Sequence, residues 1–434
     1  MVAQATLLLF GSFFVMLLAG VPISAGIGIA SIFTALFSMD PAIFALTAAQ
    51  RCFSGIDSFS LLALPFFSLG GNIMNKGGIA KRLVRLARLA VGKMPGYLAA
   101  TNVLANMFFG AVSGSGVASA AAIGKIIGPS MLEEGYPKGL TAGLIAAGGT
   151  MACIIPPSIV MVVYAQSASV SVGDMFLGGV VPGLLTIIAL IALNSFFAVR
   201  RQKKENKDPH EYTVNERMKI ILDALLPLLM PVAILGGVFS GLCTATEAAV
   251  VAVVYALFLA VFVYRELTLK DFFKVSADAV VSTGVIMLII SVASPFGWLM
   301  STQKVPQMFA SWLMSITDSK FLILAFIFLL LMILGMFMET VCIIILTTPI
   351  LLPIAVSVGL TPLHFGIALL MTLMVGSLTP PLSVNLFTSC RVLGMKVDEA
   401  FPDTLYVIGT VALMAILTFT IPGLAEFLPA VLGG

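Results

Sequence analysis

Two acids stand inside apolar stretches of this 434-residue chain, Glu247 in Thr244-Ala245-Thr246-Glu247 and Glu339 in Met338-Glu339-Thr340. An ionisable group at membrane depth is costly and marks function by default. Neither acid has the partners that acid–base or metal chemistry needs. They lie 92 residues apart, no histidine accompanies them, and the five cysteines show no C-x-x-C spacing and read as small buried hydrophobes. Gly124-Lys125 is not a phosphate loop, because Ser119 and Ile126 stand where that motif needs Gly and Ser or Thr. These absences argue against an enzyme. What the chain does carry is four interruptions of apolar sequence. They are Ser113-Gly114-Ser115-Gly116, Gly148-Gly149-Thr150 with Pro156-Pro157-Ser158, Met338-Glu339-Thr340, and Gly376-Ser377-Leu378-Thr379-Pro380-Pro381. Irregular backbone in hydrocarbon leaves N–H and C=O groups unpaired, so it survives only where protein, water or a ligand satisfies it. A hairpin tip facing a broken helix offers half-helix N-termini to an anion and free carbonyls to a hard cation such as Na⁺. Two such pairs predict two cation sites flanking one substrate site near the bilayer midplane.

A single break also fits a kinked or closely packed helix. Recurrence argues otherwise. Pro129 and Pro156 are 27 residues apart, as are Pro353 and Pro380, and the two pairs are related by an offset of 224. Gly135 and Gly359 share that offset, as do Asp174 and Asp398, which points to an internal duplication. The elements that carry these breaks are membrane helices. The chain is 60% hydrophobic and 10% charged with a mean hydropathy of +1.12, which excludes a soluble enzyme or nucleic-acid binder. No short alternating segments suggest a β-barrel. The N-terminus lacks a basic leader region, so the first apolar stretch reads as a span.

Basic residues gather in 76–93, 200–219 and 265–274, which places those segments on the cytoplasmic face. Threaded from there, 95–132 must enter and leave on one side, and its counterpart near 320–357 must start from the other. The expected fold is an all-α polytopic membrane protein with an inverted repeat, two re-entrant hairpins, two broken helices and about ten to eleven spans. The N-terminus then lies outside, and the longest polar stretch, 200–219, is a cytoplasmic loop. Lys76–Lys93 and its counterpart 300–317 read as amphipathic arm helices in the interface. The expected division is 1–94 scaffold with the first arm helix; 95–170 hairpin 1 and its broken helix; 171–319 scaffold, loop and second arm helix; 320–393 hairpin 2 and its broken helix; and 394–434 a last scaffold helix. Glu247 is expected to cap a helix or bond between helices, Asp57 and Asp174 to cap or face water, Lys125 to snorkel, and His364 to face the surface.

At Phe109–Ala120, Thr246-Glu247-Ala248-Ala249-Val250, Gly335–Thr340 and Leu378-Thr379-Pro380-Pro381 the chain resembles a known family. It is similar to the large membrane subunit of tripartite ATP-independent periplasmic (TRAP) transporters. The resemblance implies Na⁺-driven uptake of an organic acid across the bacterial inner membrane, with sialic acid and C4-dicarboxylates both open as substrates. It implies a periplasmic binding protein that delivers the acid and a small four-helix membrane subunit, expected here as a separate chain. It also implies an elevator-type fold in which the hairpin domain slides within a scaffold, and a periplasmic N-terminus. Carried onto this sequence, one Na⁺ site draws on Ser113 and Ser115 with carbonyls from Gly149 to Pro156. The second draws on Glu339, Thr340, Gly376, Thr379 and Pro380. Substrate is expected near Ser115, Ser158, Thr340 and Ser383. The rival reading is a self-contained Na⁺/dicarboxylate symporter of the same fold that needs no binding protein.

Overall fold

The computed structural model describes residues 2–201, 212–317 and 319–432. Among the described residues the chain is all helical, with twenty α-helices and no strand. Seven helices are long and apolar enough to cross a bilayer, or eight if the pair Pro41–Ile56 and Phe59–Lys76, bent by 58° at Asp57-Ser58, is one span. The expected ten to eleven spans counted each broken unit as one crossing, and those units are built from helices individually too short for it. The bend has no equivalent in the second half, where Leu269–Thr302 runs as one helix of 34 residues.

The offset of 224 holds at the level of single helix ends. Hairpin 1 is Tyr97–Ser113 with Gly116–Glu133, and hairpin 2 is Lys320–Phe337 with Thr340–Ser357. Each second helix closes on a left-handed glycine, Gly135 at φ +83° and Gly359 at φ +86°. In both, the following residue donates back five positions, Tyr136 N to Met131 O and Leu360 N to Ala355 O, each at 3.0 Å. Only glycine adopts that conformation cheaply, which is why both copies have it. The broken helices follow: Lys138–Thr150 and Ile159–Ala168 in one half, Pro362–Leu378 and Val384–Leu393 in the other.

Packing then crosses between the halves. Gly116–Glu133 of hairpin 1 lies against Val384–Leu393, and Thr340–Ser357 of hairpin 2 lies against Ile159–Ala168. This reciprocal exchange is what an inverted, two-fold-related pair of repeats produces.

The arm helices are Ile79–Val91 and Val305–Ile316. On the first, Ile79, Leu83 and Ala87 are buried while Lys81 and Arg85 are exposed, the expected two-faced pattern. Arg82 ties this helix to the segment before Leu269–Thr302 through Glu266 at 2.7 Å and lies 3.7 Å over the Tyr264 ring. Val214–Phe239 begins inside the stretch expected to be loop. Thr213 and Glu216 form its capping box, so residues from Val214 onward are helix, and 202–211 lie outside the described residues. Glu247 caps as expected, its carboxylate accepting from Thr244 N at 2.8 Å and from the Thr244 hydroxyl at 2.9 Å. His364 does not face the surface. It is 2% exposed, and its Nε2 lies 2.6 Å from Thr418 O of the last long helix. Thr361-Pro362 started the helix as expected, but the helix packs on all sides, so a polar residue in its first turn is enclosed.

Candidate functional site

Both hairpin tips open onto one small cavity of about 110 Å³. Gly114, Ser115 and Gly116 line it from hairpin 1, and Met338, Glu339 and Thr340 from hairpin 2. The broken helices supply Cys153, Ile159 and Val160 on one side and Ser377, Val384 and Asn385 on the other. Ile286, from Leu269–Thr302, closes it.

Local chemistry fixes each tip. At hairpin 1, Gly114 takes φ +62° to reverse the chain. Ser115 then starts the second helix, its hydroxyl accepting from Ala118 N at 3.4 Å, while the buried Ser113 hydroxyl accepts from Ser115 N at 3.4 Å. The tip sits directly on the first break. A Cβ on Gly116 would lie 3.1 Å from Gly149 O, and one on Gly114 would lie 3.2 Å from Pro157 O. At hairpin 2 the residue equivalent to Ser115 is Glu339, which starts Thr340–Ser357 and faces the cavity. A carboxylate at a helix N-terminus is favoured by the aligned peptide dipoles. Its second oxygen lies 3.8 Å from the Cys342 thiol, which donates to it. The second break is pinned to this tip by Leu382 N at 3.1 Å and Ser383 N at 3.4 Å, both donating to Met336 O.

The expected site residues separate into two groups. Ser115, Glu339 and Thr340 line the cavity together. Ser113, Gly149 and Pro156 lie in the buried packing of hairpin 1 on its broken helix. Gly376 is packed against Gly335, and the Thr379 hydroxyl donates to Val375 O at 2.8 Å within its own helix. Pro380 lies in the second break and is half-buried. Ser158 is turned away from the cavity, its hydroxyl donating to Cys153 O at 2.9 Å. Ser383 is buried with a left-handed φ of 25°, and its hydroxyl has no partner among the described residues.

Asn385 went unnoticed in the sequence. It is 5% exposed, lines the cavity, and donates through Nδ2 to the Ser377 hydroxyl at 3.3 Å. Its Oδ1 is buried without a partner, an oxygen able to meet a cation or a donor group. The available signal was a lone amide among Leu, Val and Phe just past Pro380-Pro381. Glu339, Thr340, Ser115 and the Asn385 amide give the cavity the hard oxygen donors that suit an alkali cation. Among the described residues no cluster of three His, Cys, Asp or Glu could hold a transition metal.

A second overlooked group supports hairpin 1. Asn102, Asn106 and Ser119 are fully buried. Ser119 Oγ donates to Asn106 Oδ1 at 2.8 Å, Asn106 Nδ2 to Asn102 O at 2.9 Å, and Asn102 Nδ2 to Leu144 O at 2.8 Å. This chain of bonds clamps the two legs of the hairpin and ties them to the broken helix. Asn106→Leu removes the 2.8 Å acceptor of the Ser119 hydroxyl and leaves it only the long 3.4 Å contact to the Asn106 main-chain carbonyl, at a cost of about 1–3 kcal/mol. Thermal unfolding of the detergent-solubilised protein is expected to move down by several degrees, and an unchanged midpoint would remove the clamp from the account.

The comparisons with known proteins agree with this architecture. A solved structure, of the YdaH transporter from Alcanivorax borkumensis, superposes with a TM-score of 0.59 over 89% of this chain and 90% of that one. At 16% identity it establishes a shared fold alone. The C4-dicarboxylate TRAP transporter large permease protein DctM of Rhodobacter capsulatus is 35% identical over 99% of this chain and all of that protein. The sialic acid TRAP transporter large permease protein SiaM of Vibrio cholerae is 36% identical over 80% of each. The isethionate TRAP transporter permease protein DctMQ of Oleidesulfovibrio alaskensis is 39% identical over 96% of this chain, which spans 65% of that longer protein. Residues 10–424 match the family model described as the tripartite ATP-independent periplasmic transporter, DctM component. The chain therefore belongs to the DctM family, the multi-pass large permeases of TRAP transporters, and is a transport protein rather than an enzyme.

Proposed function

We propose that this permease couples Na⁺ entry to uptake of an organic acid, of sialic acid or C4-dicarboxylate type, across the bacterial inner membrane. The single observation that carries this reading is the convergence of both hairpin tips on one cavity, where the carboxylate of Glu339 meets Ser115, Thr340 and Asn385 within a largely apolar wall. Its 110 Å³ is well below the roughly 300–1,000 Å³ of an organic ligand pocket. The cavity suits a cation and a few waters, and an organic acid enters only if the tips move apart or the hairpins shift against Leu269–Thr302.

In this reading the hairpins and broken helices, 95–170 and 320–393, travel together as an elevator. The remaining spans and both arm helices form the scaffold. Support comes from the packing, since each hairpin is locked to the other repeat's broken helix and the four elements interlock. Each Na⁺ crossing the membrane contributes ~2.3 kcal/mol per 100 mV, so two ions with a monovalent acid still move charge inward and favour accumulation. A periplasmic binding protein delivers the acid, and a small four-helix membrane subunit, as a separate chain, completes the complex. The N-terminus is periplasmic and the 200–219 segment cytoplasmic, in keeping with its basic residues.

Uptake of labelled organic acids into proteoliposomes holding the permease and its small subunit tests the proposal. Accumulation is expected only with both an inward Na⁺ gradient and the binding protein. Uptake with Na⁺ alone would show a self-contained symporter, and uptake indifferent to Na⁺ would overturn the cation sites.

A further inference from the structure

A second cavity, of about 880 Å³, lies away from the hairpin tips, between the first arm helix, the base of hairpin 1 and the start of Val214–Phe239. Lys81 and Arg85 enter it from the arm helix, Lys125 from hairpin 1 and Lys219 from the scaffold. None of these four has an ion pair within 4 Å among the described residues, unlike Arg82, which is held by Glu266. Two carboxylates also line the cavity, Glu216 and Asp223. Glu216 is committed to its capping box with Thr213. A balance of cations over acids, drawn from three separate elements, calls for an anion.

Thr101 adds an independent observation. It lines the same cavity, is 1% exposed, and its hydroxyl has no hydrogen-bond partner among the described residues. A buried hydroxyl without a partner is unfavourable, and rotation of the Thr101 side chain toward the cavity would let it donate to an anion there. The walls are not wholly polar. Val84, Leu98, Ile126, Ile127 and Ile220 face the cavity beside the cations. That mixture suits a ligand with an anionic head and an apolar body better than a free inorganic ion.

We propose that this cavity binds the phosphate headgroup of an anionic phospholipid. The phosphate lies among Lys81, Arg85, Lys125 and Lys219, and the glycerol and acyl portion lies along the apolar wall. The amphipathic arm helix sets the depth, because such a helix rests at the level where headgroups lie. The lipid would tie the scaffold to the base of hairpin 1, so that its binding and the position of the hairpin are linked.

Native mass spectrometry of the membrane complex containing the full chain, released from bilayers of equal phosphatidylglycerol and phosphatidylcholine, tests this. Wild-type complex is expected to retain phosphatidylglycerol at least about tenfold over phosphatidylcholine. Each cation removed should weaken retention about fivefold, so Lys81→Gln, Arg85→Gln and Lys125→Gln together give a loss of about 100-fold. Lys274→Gln, an exposed cation outside the cavity, should change nothing. Equal retention of the two lipids by wild type overturns the proposal and needs no variant to read. So does a triple variant, folded by its thermal transition, that keeps phosphatidylglycerol as wild type does. Displacement of the lipid by millimolar inorganic phosphate would assign the site to a free anion instead.

Discussion

If uptake is coupled to Na⁺ as proposed, Glu339→Gln is expected to lower it by about 100-fold while leaving the protein folded. Glu339 is the one Asp or Glu among the residues lining the tip cavity, and it begins the helix Thr340–Ser357 with its side chain reaching into that space. If Na⁺ binds there, the carboxylate is its formal counter-charge. Glu339 is exposed at the open tip, so the loss reaches the roughly 2–5 kcal/mol of an enclosed charge pair, a factor of roughly 100 or more at mid-range, only when the tips close over the bound ion. Glutamine keeps the shape and the hydrogen-bonding oxygen, so the substitution isolates charge. Initial uptake rates in proteoliposomes, measured across a range of Na⁺ concentrations, should show both a lower rate and a much higher half-saturating Na⁺. The proposed site requires Na⁺ to stabilise the wild type against heat, and in the variant that stabilisation should be missing, because a ligand that no longer binds the folded state cannot shift the equilibrium. Uptake within a few-fold of wild type would mean that Glu339 only braces the tip.

The position of Glu339 was legible in the sequence, and its surroundings were not. The offset of 224 could be found because breaks and turns are made by residues with special backbones. A Pro-Pro pair stands in the break of each broken helix, and Gly135 and Gly359 each close a hairpin in a left-handed conformation. Such residues mark local geometry wherever they occur, so two copies reveal the repeat. Asn385, Asn102 and Asn106 carry no such mark. An amide on a helix looks the same whether it faces lipid, a neighbouring leg or a cavity, and only packing decides. The same limit explains His364, whose helix start was legible but whose enclosure by Thr418 and its helix was not. It also explains Ser158, which sits at the start of the second half of a broken helix like Ser383. Its hydroxyl turns back to Cys153 O, and the cavity is lined by its neighbours Ile159 and Val160 instead. Hairpin 1 and hairpin 2 are likewise equivalent in backbone but not in chemistry. The position that is Ser115 in one tip is Glu339 in the other, and the buried Asn106 and Ser119 correspond to Leu330 and Ile343. Duplication has kept the frame while the two tips took different polar groups.

Gly376→Ala should be a strongly damaging single methyl addition near the site. Where hairpin 2 crosses its broken helix, a Cβ on Gly376 would stand 2.6 Å from Gly335 Cα and 2.8 Å from Gly335 C. These are main-chain atoms and cannot rotate aside. At the matching crossing in the first half, Gly110 meets Ala152, and a Cβ on Gly110 would meet the Ala152 Cβ at 2.8 Å. The second crossing is glycine on glycine and therefore closer. Overpacking a core costs about 1–3 kcal/mol when side chains can yield, and more is expected when only helix displacement can relieve it. The thermal transition should fall by several degrees. Gly236→Ala is the control, because nothing lies within 4 Å of the added methyl and a helical glycine gains by the change. The close crossing also has a consequence for transport. Gly335 immediately precedes Met336, whose carbonyl holds the second break through Leu382 and Ser383, and three residues later comes Glu339. Pushing the helices apart at Gly376 moves the Glu339 tip relative to Asn385. The folded fraction of Gly376→Ala should therefore need more Na⁺ for half-maximal uptake than wild type, whereas a change in stability alone would lower the amount of transporter and leave that concentration where it was.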